Sequence, residues 1–584
     1  MTNFVSGTTR YVSHTGSDTA PYTSWASASP DLQKVINYCT PWDTVIIDRG
    51  NYFGNNEITV PLVILGVSRD STILRHGEAV GGVWIILNSL DSLIVKNLTI
   101  ISNGEINHNP IINKESYLEV DGCNIYEGRT CIFTYESDVI IRNCFFKINE
   151  DKALSLGAFL ADDFYGIIEN NVFMCRSDAE VLDDNLNRTI FTNNIVNSFT
   201  SVGSNLLAFW KREYFEITNN IIYGDALAIA YFYDCDTVLV RQNTFIPSLG
   251  GFFGTGNVGR IYIFHNQVAN IYNNIFYSST GIEKDYIDST PYVSYNLFYK
   301  HIGYIVTGQV EVGPGNIIEK SPMFVNDSLF YNLDLTYDVH LQHGSPAIDA
   351  GNPDVLDVDG SRSDIGFYGG PFGESYKYPD LSPKSVRLDS IAYEEDNTLV
   401  KLWWEKNTES DLWRYNIYRG LDSNFTPNTS SYVKSTDTTF AELLILDTQY
   451  KSYYYKILAE DKTNNLSECD SLFYLEITDS VVTKVKYITT KYDYNLNQNY
   501  PNPFNPLTVI GYTLKDEGFV RIKVYDTNGQ FVETVESSLK SRGYHEIEFN
   551  GSNLASGIYI YRIEVIDDNR IPVFLDMGKM VLLK

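Results

Sequence analysis

Asparagine pairs recur through the first half of this 584-residue chain, set between apolar residues where a strand should run: IIENNVF (167–173), IFTNNIV (190–196), EITNNII (216–222) and NIYNNIF (270–276). LVRQNTF (239–245) and YVSYNLF (292–298) keep the second asparagine. IVKNLTI (94–100), EVDGCNI (119–125) and IIRNCFF (140–146) keep the frame with other residues. Asparagine is depleted from strands because its side chain competes for backbone hydrogen bonds, so its recurrence constrains the fold. The second position falls at Leu98, Cys123, Cys144, Asn171, Asn194, Asn220, Asn243, Asn274 and Asn296, with spacings of 25, 21, 27, 23, 26, 23, 31 and 22. A period in this range signals a solenoid or array.

The repeats are rich in Ile, Val, Phe, Tyr and Asn, so the unit is β. A rung of about 25 residues holds three short strands and their turns. Stacked rungs then form three parallel sheets, stepping about 4.8 Å per rung. Asparagine tolerates the left-handed backbone of a tight turn, and its amide can bond the identical amide one rung away, as in cross-β ladders. The expected fold is all-β: a right-handed parallel β-helix of about eleven rungs over residues 40–345, within a domain spanning 1–375. Its open end needs a cap. SPDLQKVINYC (29–39) predicts one, a short helix with Ser29 as N-cap, Pro30 in the first position, and Leu32, Val35, Ile36 and Cys39 at helical spacing. DTVIIDRGNY (43–52) is expected to begin the first strand.

This cap and opening strand resemble those of pectate-lyase-like β-helix proteins. GSPAIDAGNPDVLDVDGSRSDIGFYGGP (344–371) resembles the closing segment of a bacterial surface β-helix family whose members carry varied C-terminal anchors. Together the resemblance covers about residues 10–372 and implies the fold, not an activity.

Periodicity changes after Pro371. LVKLWWEK (399–406), with Trp403 and Trp404, and the alternating Tyr453, Tyr455, Ile457 and Ala459 resemble a fibronectin type III domain over 383–479, with Tyr453 at the tyrosine corner. Such a module is usually a spacer or an adaptor. Residues 480–494 read as a linker. NYPNPFNPLTVIGYTL (499–514) and the strands around DTNGQ (526–530) outline a second β-sandwich over 495–584. That stretch resembles the C-terminal sorting domain read by the type IX secretion machinery of Bacteroidota, which implies transfer across the outer membrane to the surface or medium.

The formal charge of −29 excludes nucleic acid as a partner, since phosphate contact needs a basic surface. It also makes polyanionic glycans awkward partners unless cations intervene. No apolar run reaches membrane-spanning length, so no transmembrane segment is expected. The opening MTNFVSGTTRYVSHTGS has neither a basic start nor an apolar stretch; the expectation is an exported form numbered from a replacement Met. The seven cysteines show no metal spacing and read as buried small hydrophobes, with a Cys123–Cys144 disulfide as the alternative.

Nine residues before each second position stand Lys114, Tyr135, Asp162, Asn185, Lys211, Asp234, His265 and Ile287; one residue on come Glu115, Glu136, Asp163, Leu186, Arg212, Cys235, Asn266 and Asp288. Trp210, Tyr233, Phe264 and Tyr286 occupy the preceding column. Aromatic faces beside charged groups suit a sugar chain lying along the solenoid. Two chemistries stay open. In β-elimination, Lys211 or His265 removes the proton alpha to a uronate carboxylate, with Arg212 or calcium neutralising it between Asp162 and Asp234. In hydrolysis, Asp162–Asp163 or Asp183–Asp184 flank the glycosidic bond. Trp210, Tyr233 and Asn185 would bind substrate, and Asp162, Asp163 and Asp184 would hold calcium. No Gly-His-Gly motif of the polygalacturonase type occurs. Asp357, Asp359 and Asp364 offer either a further calcium loop or a plain Asp/Gly turn. The competing reading is a turn that is polar for no catalytic reason, in a surface adhesin or structural protein.

Overall fold

The computed structural model describes the chain apart from residues 1–6, 76–84, 89–91, 103–108, 127–129, 149–151, 158–162, 177–179, 200–204, 211–212, 226–227, 247–259, 266–267, 278–280, 286–289, 302–304, 327–337, 394–398, 445–451, 479–480, 490–493, 516–517, 527–529, 541–542, 553, 567–571 and 584. The chain divides into two compact units. One holds Met1–Pro322 with Ala347–Tyr376, the other Met323–Pro346 with Lys377–Lys584.

The first unit is a parallel β-solenoid of three sheets, with thirteen, twelve and eleven strands among the described residues. Each strand pairs in parallel with its counterpart one coil away, so like residues stack. In the first sheet the inward row runs Val45, Ile64, Val95, Val120, Ile141, Ile168, Phe191, Ile217, Val240, Ile271 and Val293. Every one of these is fully buried. The second sheet adds aromatic stacking inside the tube, with Phe146 on Phe173 at 4.8 Å and Phe276 on Phe298 at 4.8 Å. Burying such side chains at about 25 cal/mol per Å² of apolar surface is the main stabilising term.

The asparagine pairs divide two tasks between them. The first residue carries the left-handed turn from the first sheet to the second: Asn97, Asn143, Asn170, Asn193, Asn219, Gln242, Asn273 and Tyr295 all have φ between 50° and 60°. The second residue is buried and builds the ladder. The Asn194 Oδ1 accepts the Asn171 backbone N–H at 2.9 Å and its Nδ2 at 3.1 Å, and the pattern repeats through Asn220, Asn243, Asn274 and Asn296. Asn316 extends it by one coil. At the other end thiols stand in for amides. The Cys144 N–H donates to Asn171 Oδ1 at 2.9 Å, the Cys123 N–H to Cys144 Sγ at 3.5 Å, and both cysteines are free.

The N-terminal cap contains a helix at Leu32–Ile36, but its N-cap is Asp31, whose side chain accepts the Lys34 N–H. Ser29 stands outside and accepts the Asp31 N–H instead. A strand at Thr9–Val12 precedes it and pairs with Asp43–Ile47, pinned by the buried Arg10–Asp43 ion pair at 2.9 Å. Residues Ala347–Tyr376 lie along the solenoid as a strap over successive turns. Asn219 Nδ2 donates to the carbonyls of Phe367 and Gly369, Gln242 Nε2 to that of Asp364, and Asn273 Oδ1 accepts the Asn352 N–H. The DVDGSRSD carboxylates hold this strap's own backbone. Asp357 accepts the N–H groups of Asp364 and Gly370, Asp359 that of Ser361, and Asp364 that of Asp349.

The second unit is antiparallel. Three-stranded and five-stranded sheets enclose Trp404, Tyr415, Ile417, Tyr455 and Phe473. Tyr415 Oη accepts the Asn407 N–H at 2.8 Å, while the Tyr453 ring lies under Arg419. Val481–Thr489, in the stretch read as a linker, is the fifth strand, paired with Ser471–Thr478. Further on, three-stranded and four-stranded sheets enclose Phe504, Tyr512, Val520, Val524, Tyr561 and Ile563.

Candidate functional site

The outer face of the third sheet gathers most of the aromatic residues singled out above. Strands Asn205–Trp210, Ala228–Tyr233 and Arg260–Phe264 pair in register, which aligns Trp210 with Tyr233 and Phe264, and Ala208 with Tyr231 and Tyr262. The sequences LAFW, AYFY and IYIF alternate, so Phe209, Phe232 and Ile263 fill the core while the aromatic residues flanking them face out half-buried.

Tyr231 stacks on Tyr262 at 5.3 Å and Tyr233 on Phe264 at 4.9 Å, each pair within 12° of parallel. Neighbouring rings thus cover one another, and the row offers edges and phenol hydroxyls outward. Trp210 closes it, tilted 53° to Tyr231 and 44° to Tyr233, and its indole N–H donates to Asp183 Oδ1 at 2.9 Å.

Ion-paired acids frame the row. At one end Asp183 and Glu180 share Lys152; burial acts to lower the lysine's pKa, but the Asp183 hydrogen bond and both acidic charges leave it raised. At the other end Arg260 lies over the Tyr262 ring at 5.2 Å and pairs with Glu283, and Tyr262 donates to Asp285 at 2.9 Å. Burial first and then that bond push the Tyr262 phenol up to about 12.

The polar stripe falls into place only in part. Asp234 and His265 stand one residue past the aromatic column, both left-handed at φ 57° and 54°, in the turn position that Glu115 and Glu136 occupy in earlier coils. Asp234 is exposed, and the His265 ring meets Phe264 edge-on at 4.6 Å. Asn185 follows its strand directly, with its N–H on the Leu156 carbonyl. Asp163 is exposed, near enough to Asp138 that its charge, after burial, helps raise the Asp138 pKa. Asp184 points inward, fully buried, with Oδ1 accepting the Leu186 N–H at 2.9 Å. Asp162, Lys211 and Arg212 lie outside the described residues. Among the described residues no group of three or more His, Cys, Asp or Glu is placed to hold a metal ion.

Tyr231 and Tyr262 were missed, although the period-2 alternation of AYFY and IYIF carries their signal. Asp285 was missed because the turn after it is longer than the count allowed.

The fold is an all-β solenoid followed by antiparallel sheet domains. Residues 498–571 match the family described as "Secretion system C-terminal sorting domain", which marks a secreted or cell-surface protein handled by the type IX machinery. No described helix is long and apolar enough to cross a membrane. Among solved structures, dimeric latent PorU from Porphyromonas gingivalis is similar at 15% identity over 34% of this chain and 20% of that one, with a TM-score of 0.14. The chicken CNTN1 FN1–FN3 domains are similar at 11% identity over 34% of this chain and 66% of that one, with a TM-score of 0.13. No curated protein matches.

Proposed function

We propose that this secreted solenoid binds extracellular polysaccharide along its third sheet, with the sandwich at 388–489 acting as a fibronectin-type spacer. The observation that carries this is the outward row Trp210, Tyr231, Tyr233, Tyr262 and Phe264, spread over three coils and framed by ion-paired carboxylates. An outward aromatic patch of that extent on one sheet face marks an interaction surface, and ring edges with phenol hydroxyls complement sugar C–H groups and hydroxyls. The test is affinity electrophoresis and calorimetry of the whole chain against neutral and acidic glycans, with and without calcium. Trp210→Ala should weaken binding about tenfold, the size of one good aromatic contact. Failure of every glycan to retard the parent protein refutes the reading.

A catalytic use of the same face draws support from Asp234 and His265, which stand at its margin on successive coils. It takes the form of calcium-assisted β-elimination on a uronate glycan, with Lys211 or His265 as base and Arg212 beside the carboxylate. Release of unsaturated, ultraviolet-absorbing uronides, abolished by Lys211→Ala, is its signature. Glycan binding without such product leaves the adhesin as the whole function.

A further inference from the structure

One face of a sheet in the sorting domain sets cations beside exposed apolar residues. In its four-stranded sheet Phe531–Lys540, Gly518–Asp526, Gly557–Ile566 and Pro572–Leu582 lie side by side, the last at the edge. One face of this sheet is core, with Val520, Ile522, Val524, Tyr561, Ile563 and Val565. On the other, register places Lys523 opposite Arg562 and Arg562 opposite Met577, with Arg521, Glu564 and Leu575 in the next row and Ile560 and Lys579 in the row beyond.

Two features of that face are costly unless used. Like charges directly opposite on neighbouring strands destabilise a sheet. Lys523 and Arg562 stand so, and among the described residues no carboxylate lies within ion-pair reach of either; Arg521 beside them has its acidic partner, Glu564, at 3.4 Å. Next to these cations the edge strand exposes an apolar run: Val573 at 38%, Leu575 at 49% and Met577 at 63% exposure. An exposed apolar edge strand invites pairing with another chain. Residues 495–584 carry nine Lys and Arg against eleven Asp and Glu, so nearly all of the −29 charge lies upstream.

We propose that this face is what the export machinery reads, and that its partner presents carboxylates to Lys523 and Arg562 and an apolar surface to Leu575 and Met577. Opposite charge at such a contact sets partner choice, and apolar anchors hold it. The proposal rests on the sorting assignment and narrows it to one side of one sheet. The acidic solenoid upstream would be repelled by such a partner, which keeps the recognition confined to the tail.

The experiment uses the whole chain in a host with a type IX system and measures the fraction reaching the cell surface by antibody labelling of intact cells. Lys523→Glu with Arg562→Glu should cut that fraction about tenfold or more, since a like-charge contact costs several kcal/mol. Leu575→Ser with Met577→Ser should do the same. Glu548→Lys, on an exposed strand of the other sheet, should export normally. Melting of the purified variants separates lost recognition from lost folding. A charge-reversed pair that fails to fold is replaced by Lys523→Gln with Arg562→Gln, for which a smaller loss of export is expected. Parent-level export of folded face variants overturns the proposal. If deleting 495–584 also leaves export intact, the sorting assignment itself fails.

Discussion

Asn220→Ala tests whether the amide ladder holds the coils together. The Asn220 Oδ1 accepts the Asn194 N–H at 2.8 Å and the Asn194 Nδ2 at 3.1 Å, and its own Nδ2 donates to Phe191 O, Thr218 O and Asn243 Oδ1. Alanine removes all five bonds at a site with no access to water, since Asn194, Asn220 and Asn243 are each fully buried. The two Asn194 donors are left orphaned at about 1–3 kcal/mol each, so the loss is roughly 2–6 kcal/mol. Asn316→Ala, at the half-buried end of the ladder, should cost about 1 kcal/mol because water can replace the lost partner. Asn193→Gly should lie within about 0.5 kcal/mol of the parent, since that position needs only its left-handed φ of 54°. Urea unfolding followed by circular dichroism gives the ranking. Hydrogen exchange at the Asn194 amide gives the local loss, needed because long repeat arrays do not unfold in one step. An Asn220→Ala protein within about 0.5 kcal/mol of the parent refutes the ladder as a source of stability.

Acid should weaken the first sheet. Burial acts to raise the Glu119 and Glu216 carboxyls, but bonds from Lys96 to Glu119 and from Arg241 to Glu216 turn both net shifts downward. Their stability is therefore present above the unfolded glutamate value of about 4.3 and is lost as pH falls through the depressed folded values. Melting temperatures from about pH 7 down to about pH 3 should show the fall, and Glu119→Gln should flatten it. Asp357→Ala should loosen the strap, leaving the Asp364 and Gly370 N–H groups without their acceptor, and limited proteolysis should then cut within 347–376 while the solenoid stays intact. Deleting residues 495–584 should block surface delivery while leaving the solenoid folded, measured by antibody labelling of intact cells and by circular dichroism of the purified truncation.

How much of this was legible in the sequence follows from which turns have constant length. From the coil of Ser92–Lys96 to that of Tyr292–Ser294 the chain makes the same two-residue left-handed step between the first and second sheets, so one count finds Asn171, Asn194, Asn220, Asn243, Asn274 and Asn296, and the structure stacks all six. The turn from the third sheet back to the first varies. The aligned positions Lys114, Tyr135, Gly157, Trp210, Tyr233, Phe264 and Asp285 precede their ladder residues by nine, nine, fourteen, ten, ten, ten and eleven. A fixed count of nine therefore slips by one where Trp210, Tyr233 and Phe264 stand. It lands on Asp234 and His265, the turn residues one position past that column. Asp184 misled for a different reason: a carboxylate beside a turn reads as a surface ligand, yet it occupies an inward position between Leu156 and Phe209 and accepts the Leu186 N–H.

The aromatic row survived the slip because its constraint is local. Whatever the turn length, LAFW, AYFY and IYIF each place two residues outward in a period of two, and parallel pairing then aligns them coil to coil. The polar stripe had no such protection: Asp234 and His265 sit where the turn length sets direction, while Lys114 and Tyr135 are the last residues of strands. Within a solenoid, then, an outward row written in the strands carries its signal in the period of two, whereas a cluster written in the turns depends on turn lengths that vary from coil to coil. This asymmetry is why binding by Trp210, Tyr231, Tyr233, Tyr262 and Phe264 stands ahead of catalysis by Lys211, Asp234 and His265.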